Sequence, residues 1–320
     1  MKKPRYPGYF TDVPGFRLGH SQDLEKGTGV SVILPPAKTV GGVDVRGAAP
    51  GSRETDLLRP ENTVGEVHAV VLSGGSAFGL DSCSGVMSYL RDRGTGFATE
   101  FGPVPIVCGA VLYDLGVADP LAYPASSAGY QAAEAAAEAD RSMGNVGAGT
   151  GASVGKILGM SRAMKSGLGQ ASMCRGDLWV SCVVAVNAVG DVFDLDRGYE
   201  AVAGPLDEEG KRLSTVKLIL GGDQKMSTAE NTTIAALATN AKLDKAACLK
   251  LAQMAHDGYA RAIEPVHTTA DGDTIFTLAS GAIETDLNVL GTMAVEVVRR
   301  AIVNACLMAE DSYGLRAFQE

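Results

Sequence analysis

Between Thr232 and Thr239 the chain reads Thr-Thr-Ile-Ala-Ala-Leu-Ala-Thr, apolar or β-branched at every place and without a charge. A run of that length and character predicts a strand buried inside the protein. The residues before it, ending in Glu230-Asn231, are polar, so two threonines stand where a loop passes into a core strand. Other β-branched or apolar runs predict strands at 29–34, 39–46, 67–72, 103–112, 167–174 and 275–279. Residues 179–186 and 191–194 are expected to pair as a hairpin across Asn187-Ala188-Val189-Gly190. Helical spacing predicts helices from about Gly79 to Arg93, over 126–140, over 243–263 with Asp244 as its cap, and over 286–310. The stretches 47–64 and 197–230 read as loops. Strands and helices intermix along the whole length, which predicts one layered α/β or α+β unit over 1–320 and not separate domains.

Composition narrows the function classes. Apolar residues make up 46% and charged residues 20%, ample for a well-buried core. Forty glycines against eight phenylalanines and one tryptophan imply tight turns and close backbone packing. A net charge of −9 opposes non-specific binding to nucleic acid or to anionic membranes. No apolar run follows the basic start Met1-Lys2-Lys3, so no secretory signal is expected, and no run of about 18 apolar residues predicts a membrane helix. Cys83, Cys108, Cys174, Cys182, Cys248 and Cys306 are scattered without zinc-type spacing. They are expected to be mostly buried thiols in a cytoplasmic protein that needs neither metal nor cofactor.

Several stretches invite chemical readings. Ser73-Gly74-Gly75-Ser76-Ala77-Phe78-Gly79 follows a strand, as a nucleophile elbow would, but Phe78 occupies the place of its last glycine, so a pocket-lining turn is favoured. Gly144 to Lys156 is glycine-rich. The phosphate-loop pattern fails there at Thr150 and Ile157. Gly147-x-Gly149-x-x-Ala152 fits a dinucleotide pattern, although a predicted helix and not a strand precedes it. Lys156, delivered by this loop, is either a surface lysine or one desolvated to serve a site. Asn187 is either a turn asparagine or an amide N–H donor aimed at an oxyanion. Tyr113 is either an interfacial tyrosine or a phenolic donor.

Four segments in order carry a resemblance: Gly149-x-Gly151-Ala152-Ser153-x-Gly155-Lys156, Val186-Asn187-x-x-Gly190, Asn231-Thr232-Thr233-Ile234 and His267-Thr268-x-x-Asp271-Gly272-Asp273-Thr274. Together they resemble the self-cleaving L-aminopeptidase/D-amino-acid esterase-amidase family, which includes the nylon-oligomer hydrolases. The likeness extends from about Pro14 to Met308. It implies a four-layer αββα sandwich of the N-terminal-nucleophile kind, made as an inactive precursor. It implies a cut between Asn231 and Thr232 into chains 1–231 and 232–320, which stay associated and assemble as homo-oligomers, most simply tetramers.

The resemblance also assigns roles. Thr232 becomes the nucleophile, and its freed α-amine, with a reference pKa of about 7.7–8.0, serves as base. Lys156 matches the family's active-site lysine, Asn187 its oxyanion-stabilising asparagine, and Tyr113 a tyrosine near the site. Asp271 and Asp273 match two carboxylates that orient the nucleophile's amine; by themselves they read equally as a polar turn around Gly272. Glu230 stands where relatives often carry a small residue, and Asn240 where many aminopeptidase-like members carry Asp. The implied substrates are small peptides, amino-acid amides or esters, and linear oligoamides. Two other readings stay open: an acyltransferase of the ornithine acetyltransferase type, and a nucleotide-binding or scaffold protein using the loop at 147–155.

Overall fold

The computed structural model describes residues 2–222 and 231–319. In chain order the strands are β1 (Arg17–Asp23), β2 (Thr28–Leu34), β3 (Val40–Val45), β4 (Gly51–Arg53), β5 (Ala69–Ser73), β6 (Val107–Val111), β7 (Ser153–Val154) and β8 (Met164–Lys165). They continue with β9 (Leu168–Arg175), β10 (Leu178–Asn187), β11 (Asp191–Asp194), β12 (Glu200–Ala203), β13 (Thr232–Ala241), β14 (Ile263–Glu264) and β15 (Thr274–Ile283). The helices are α1 (Ser82–Arg91), α2 (Ser126–Glu134), α3 (Thr215–Leu220), α4 (Lys245–Ala260) and α5 (Leu287–Leu307).

Two five-stranded sheets form the centre, ordered β1-β2-β5-β6-β4 and β3-β15-β13-β10-β9. Only β5 with β6 and β13 with β15 run parallel; the other neighbours within these sheets are antiparallel. Three apolar layers follow. Ile33, Val70, Leu72 and Cys108 of the first sheet meet Val183, Ile234, Ala236 and Phe276 of the second. Val32, Val71 and Val107 face α1 and α2 through Val86, Leu90 and Ala132. Val184, Ala235 and Ile275 face α4 and α5 through Leu251, Ala255, Val298 and Ile302. The result is a helix–sheet–sheet–helix sandwich, as the resemblance implied. Sheets covered on both sides explain why β2, β5 and β13 are buried at every residue and carry no alternating polar pattern. Helix α4 lies so close to β3 that a Cβ on Gly42 would stand 2.6 Å from the Cys248 carbonyl carbon.

Local signals set the long helices. Asp244 and Asp286 cap α4 and α5 by accepting from Ala247 N–H and Asn288 N–H. Five of the six cysteines are buried and Cys174 is exposed. Among the described residues no helix is long and apolar enough to cross a membrane.

Four sequence expectations are corrected. Helix α2 stops at Glu134, because Ala137 and Leu18 exchange both backbone hydrogen bonds and draw the chain onto the edge of β1. The predicted hairpin does not form: β10 pairs with β9 and β13, whereas β11 pairs with β12 and β14 in a separate small sheet. Close approach of Gly190 to the Glu264-Pro265 backbone, where a Cβ would stand 2.3 Å from the Pro265 carbonyl oxygen, redirects the chain there. The stretch 197–222 holds β12 and α3, with Ser214 capping α3 through Lys217 N–H. The stretch 47–64 holds β4, which joins the edge of the first sheet.

Candidate active site

Strand register brings the candidate residues to one end of the second sheet. Thr232 opens β13 and lies opposite Asn187, the last residue of β10. On the other side β15 starts at Thr274 opposite Ile234, so the loop before it runs beside Asn231, which bridges to Asp271. The loop is held close: a Cβ on Gly47 would stand 2.1 Å from the Asp271 carbonyl oxygen, and one on Gly272 would stand 2.9 Å from Thr232 Oγ1.

The carbonyl of Asn231 is held from two sides. The Thr232 hydroxyl is buried and donates to the Asn231 carbonyl oxygen. The Gly272 N–H donates to the same oxygen at 3.1 Å. A hydroxyl is thus in contact with the carbonyl group of the preceding residue, and a backbone donor polarises that carbonyl.

Asn187 is fully buried. Its Nδ2 donates to the Tyr113 carbonyl oxygen at 2.9 Å, and its Oδ1 accepts from Ser153 N–H at 3.1 Å. Tyr113 thus enters the arrangement through its main chain, just past the end of β6. Lys156 follows Gly155, whose φ of +70° turns the loop, and its Nζ donates to the Asn187 carbonyl oxygen at 2.9 Å. Its charge acts on two carboxylates, Asp271 and Asp114, favouring the ionised form of each.

Asp271 Oδ2 accepts from Thr268 N–H at 2.7 Å and Thr268 Oγ1 at 2.6 Å. Burial, with the charge of Asp273 adding to it, pushes its carboxyl up to about 6. Asp273 Oδ1 accepts from Thr233 N–H at 2.7 Å, and its Oδ2 accepts from His267 N–H at 3.2 Å and His267 Nδ1 at 2.8 Å. Asp273 therefore grips the residue next to Thr232.

Thr232, Lys156, Asn187, Asp271, Asp273 and the Tyr113 main chain are linked through these contacts. Asn240 is at the opposite end of β13, with both ends of its amide bonded to the Asp177 and Trp179 backbone. Glu230 lies outside the described residues. The half-buried Ser76 has φ +52°, and its N–H donates to the Leu112 carbonyl oxygen, tying the turn to the end of β6. In the Gly-rich loop, the N–H groups of Gly147, Ala148, Gly149, Thr150 and Ala152 are all bonded to protein oxygens. Those donors are not available to cradle a phosphate.

Three polar residues were given no role by sequence reasoning. Asp114 is buried, accepts from Gly75 N–H at 2.6 Å and Thr28 Oγ1 at 2.8 Å, and is pushed up by burial to about 6. Lys165 is fully buried and donates to the carbonyl oxygens of Gly149, Ala152 and Ser166 at 3.0, 3.0 and 2.5 Å. It clamps the loop that delivers Lys156. Its only sequence signal is a lysine inside the apolar neighbourhood Ala163-Met164. Lys165→Met fills similar volume but strands three buried carbonyls, so denaturant unfolding should show a loss of about 3 kcal/mol. Unchanged stability would remove the clamp. His267, bonded to Asp273 Oδ2, is the third. Among the described residues no group of three or more His, Cys, Asp or Glu is placed to hold a metal ion.

The profile of peptidase family S58 matches residues 9–318. An uncharacterized aminopeptidase of Mycobacterium leprae is 40% identical over 96% of this chain and 92% of its own. A 6-aminohexanoate-oligomer endohydrolase of Agromyces sp. is 31% identical over 92% of this chain and 84% of its own. The solved structure of the L-aminopeptidase D-Ala-esterase/amidase from Ochrobactrum anthropi, described as a variant of the Ntn hydrolase fold, superposes with a TM-score of 0.72. That superposition covers all of this chain and 92% of the other at 18% identity, a likeness of fold.

Proposed function

This chain belongs to peptidase family S58 and is a hydrolase, and we propose that it is a self-processing threonine amidase. The carrying observation is the Thr232 hydroxyl set against the Asn231 carbonyl, with the Gly272 N–H on the same oxygen. In the precursor, Thr232 Oγ1 attacks the Asn231 carbonyl carbon, and the C–N bond to Thr232 breaks as the nitrogen takes up a proton. An ester replaces the amide. Water then cleaves the ester, leaving a carboxylate on Asn231 and a free amine on Thr232.

In turnover, that amine accepts the hydroxyl proton while Oγ1 attacks a substrate carbonyl. The amine product leaves, and water hydrolyses the acyl-Thr232 ester. Asn187 supplies an N–H donor to the oxyanion, with Tyr113 beside it. Lys156 favours the neutral Thr232 amine, and Asp271 receives its hydrogen bond. Lys156→Ala is expected to slow both self-cleavage and turnover.

The substrate class is small amides: peptides, amino-acid amides or esters, and linear oligoamides of the sort named for the Agromyces relative. The working form is a homo-oligomer, taken as a tetramer, of cleaved heterodimers. Cleaved protein should release amine from amino-acid p-nitroanilides or from linear 6-aminohexanoate oligomers. The acyl group should pass to water even with a competing amine such as ornithine present. Transfer to that amine would instead identify an acyltransferase.

The carboxyl of Asp271 sets a pH limb. A carboxyl pushed up to about 6 is protonated below that pH and ionised above it. Only the ionised form accepts freely from an N–H of the neutral amine, and its loss adds to protonation of the amine itself, so turnover should fall more steeply than one proton requires as pH drops through about 6. A kcat profile flat from pH 7 to 5 would contradict that role.

A further inference from the structure

His267 belongs to the motif His267-Thr268-x-x-Asp271-Gly272-Asp273-Thr274, yet the reaction scheme leaves it without a part. Its backbone lies in the left-handed region at φ +55°, which a histidine adopts uncommonly. In that conformation one residue turns two donors onto one carboxylate oxygen: the His267 N–H at 3.2 Å and ring Nδ1 at 2.8 Å, both to Asp273 Oδ2. The other oxygen, Oδ1, accepts from Thr233 N–H at 2.7 Å. Asp273 is 2% exposed, so its orientation is set by these partners and not by water.

The surroundings fix the ring. His256, buried, packs edge-on against His267 with centroids 4.7 Å apart, and Tyr259 stacks on it at 5.8 Å. His256 is pushed down by burial to about 3, so it is neutral and adds no charge. Its Nε2 bonds to the Asp44 carbonyl oxygen at 3.1 Å. The Tyr259 hydroxyl donates to the Thr233 and Thr274 carbonyl oxygens, at 3.2 and 3.3 Å. Ring and hydroxyl therefore bind the start of β13 from one block of side chains.

We propose that His267 is a positioning residue: by holding Asp273 Oδ2 with its backbone and ring donors, it fixes Oδ1 on Thr233 N–H and so fixes the place of Thr232. It touches neither substrate nor reacting atoms. The inference rests on the reading of Thr232 as nucleophile. The ring donor, not only the bend, is what carries the effect. Left without it, the carboxylate rotates, the nucleophile's register loosens and kcat falls while substrate affinity is little changed.

Two substitutions separate donor from bend. Asparagine and glycine both accept φ near +55° readily. The Nδ2 of His267→Asn can reach Asp273 where Nδ1 does, whereas His267→Gly keeps only the backbone donor. Cleaved protein of each variant is assayed for kcat and KM, with melting temperature measured alongside. His267→Asn should keep kcat within about threefold of wild type, and His267→Gly should lose about tenfold or more with KM within about twofold. Equal kcat in the two variants, whether high or low, would overturn the proposal, as would a loss confined to KM. If His267→Gly does not fold, His267→Asp replaces it, since aspartate accepts the same φ but offers an acceptor in place of the donor, and the same comparison decides. Failure of the underlying reading looks different: wild type itself would then show no acyl-Thr232 chemistry.

Discussion

Thr232→Ala is expected to remain one chain of 320 residues and to lose amide hydrolysis. The methyl removes the hydroxyl that donates to the Asn231 carbonyl oxygen, so no ester forms and no α-amine is released. Both nucleophile and base vanish with one side chain, and the loss should reach roughly four orders of magnitude or more in kcat. The fold should survive, because Thr232 is held by the β10–β13 ladder and not by its hydroxyl. Thr232→Ser keeps the oxygen and should cleave and turn over, since a primary hydroxyl does the same chemistry. Electrophoresis under denaturing conditions, read beside an amide-release assay, checks all of this. Cleavage or turnover in Thr232→Ala would move the nucleophile elsewhere.

Asn187→Ala should divide the two reactions. In turnover the substrate oxyanion depends on a side-chain donor, and losing one such donor costs roughly 2.7–4 kcal/mol, or about 10²–10³ in kcat. In the precursor the oxygen that becomes negative is that of Asn231, and the Gly272 N–H already holds it. Self-cleavage of Asn187→Ala is therefore expected to slow far less than hydrolysis of an added amide. Time courses of chain separation and of amine release, run on the same sample, give the two rates. An equal loss in both would mean that Asn187 serves the precursor as much as the mature enzyme.

Much of the scaffold was legible because it rests on local signals. An uncharged, β-branched run gave β13, and Asp244 before a long amphipathic run gave the cap of α4. The site was legible only in part. That Thr232 faces Asn187 depends on the register of two strands 45 positions apart, and no local pattern encodes it. The four ordered motifs supplied that link by resemblance. The hairpin was misread because Asn187-Ala188-Val189-Gly190 is good turn chemistry, whereas the partner of β11 is decided by distant close packing at Gly190. Lys165 was invisible for a similar reason. Its three acceptors are backbone carbonyls, which any sequence would provide, and only the folded loop brings them around one ammonium. Asp273 shows the reverse case. The motif marked it, but only geometry shows that it reaches Thr232 through Thr233, with His267 on its far oxygen.

The central claim is a covalent one, so intact mass under denaturing conditions tests it most directly. Purified wild-type protein should resolve into chains of 231 and 89 residues, and sequencing of the shorter one should begin Thr-Thr-Ile-Ala. A single 320-residue chain that nevertheless hydrolyses amides at full rate would contradict the account.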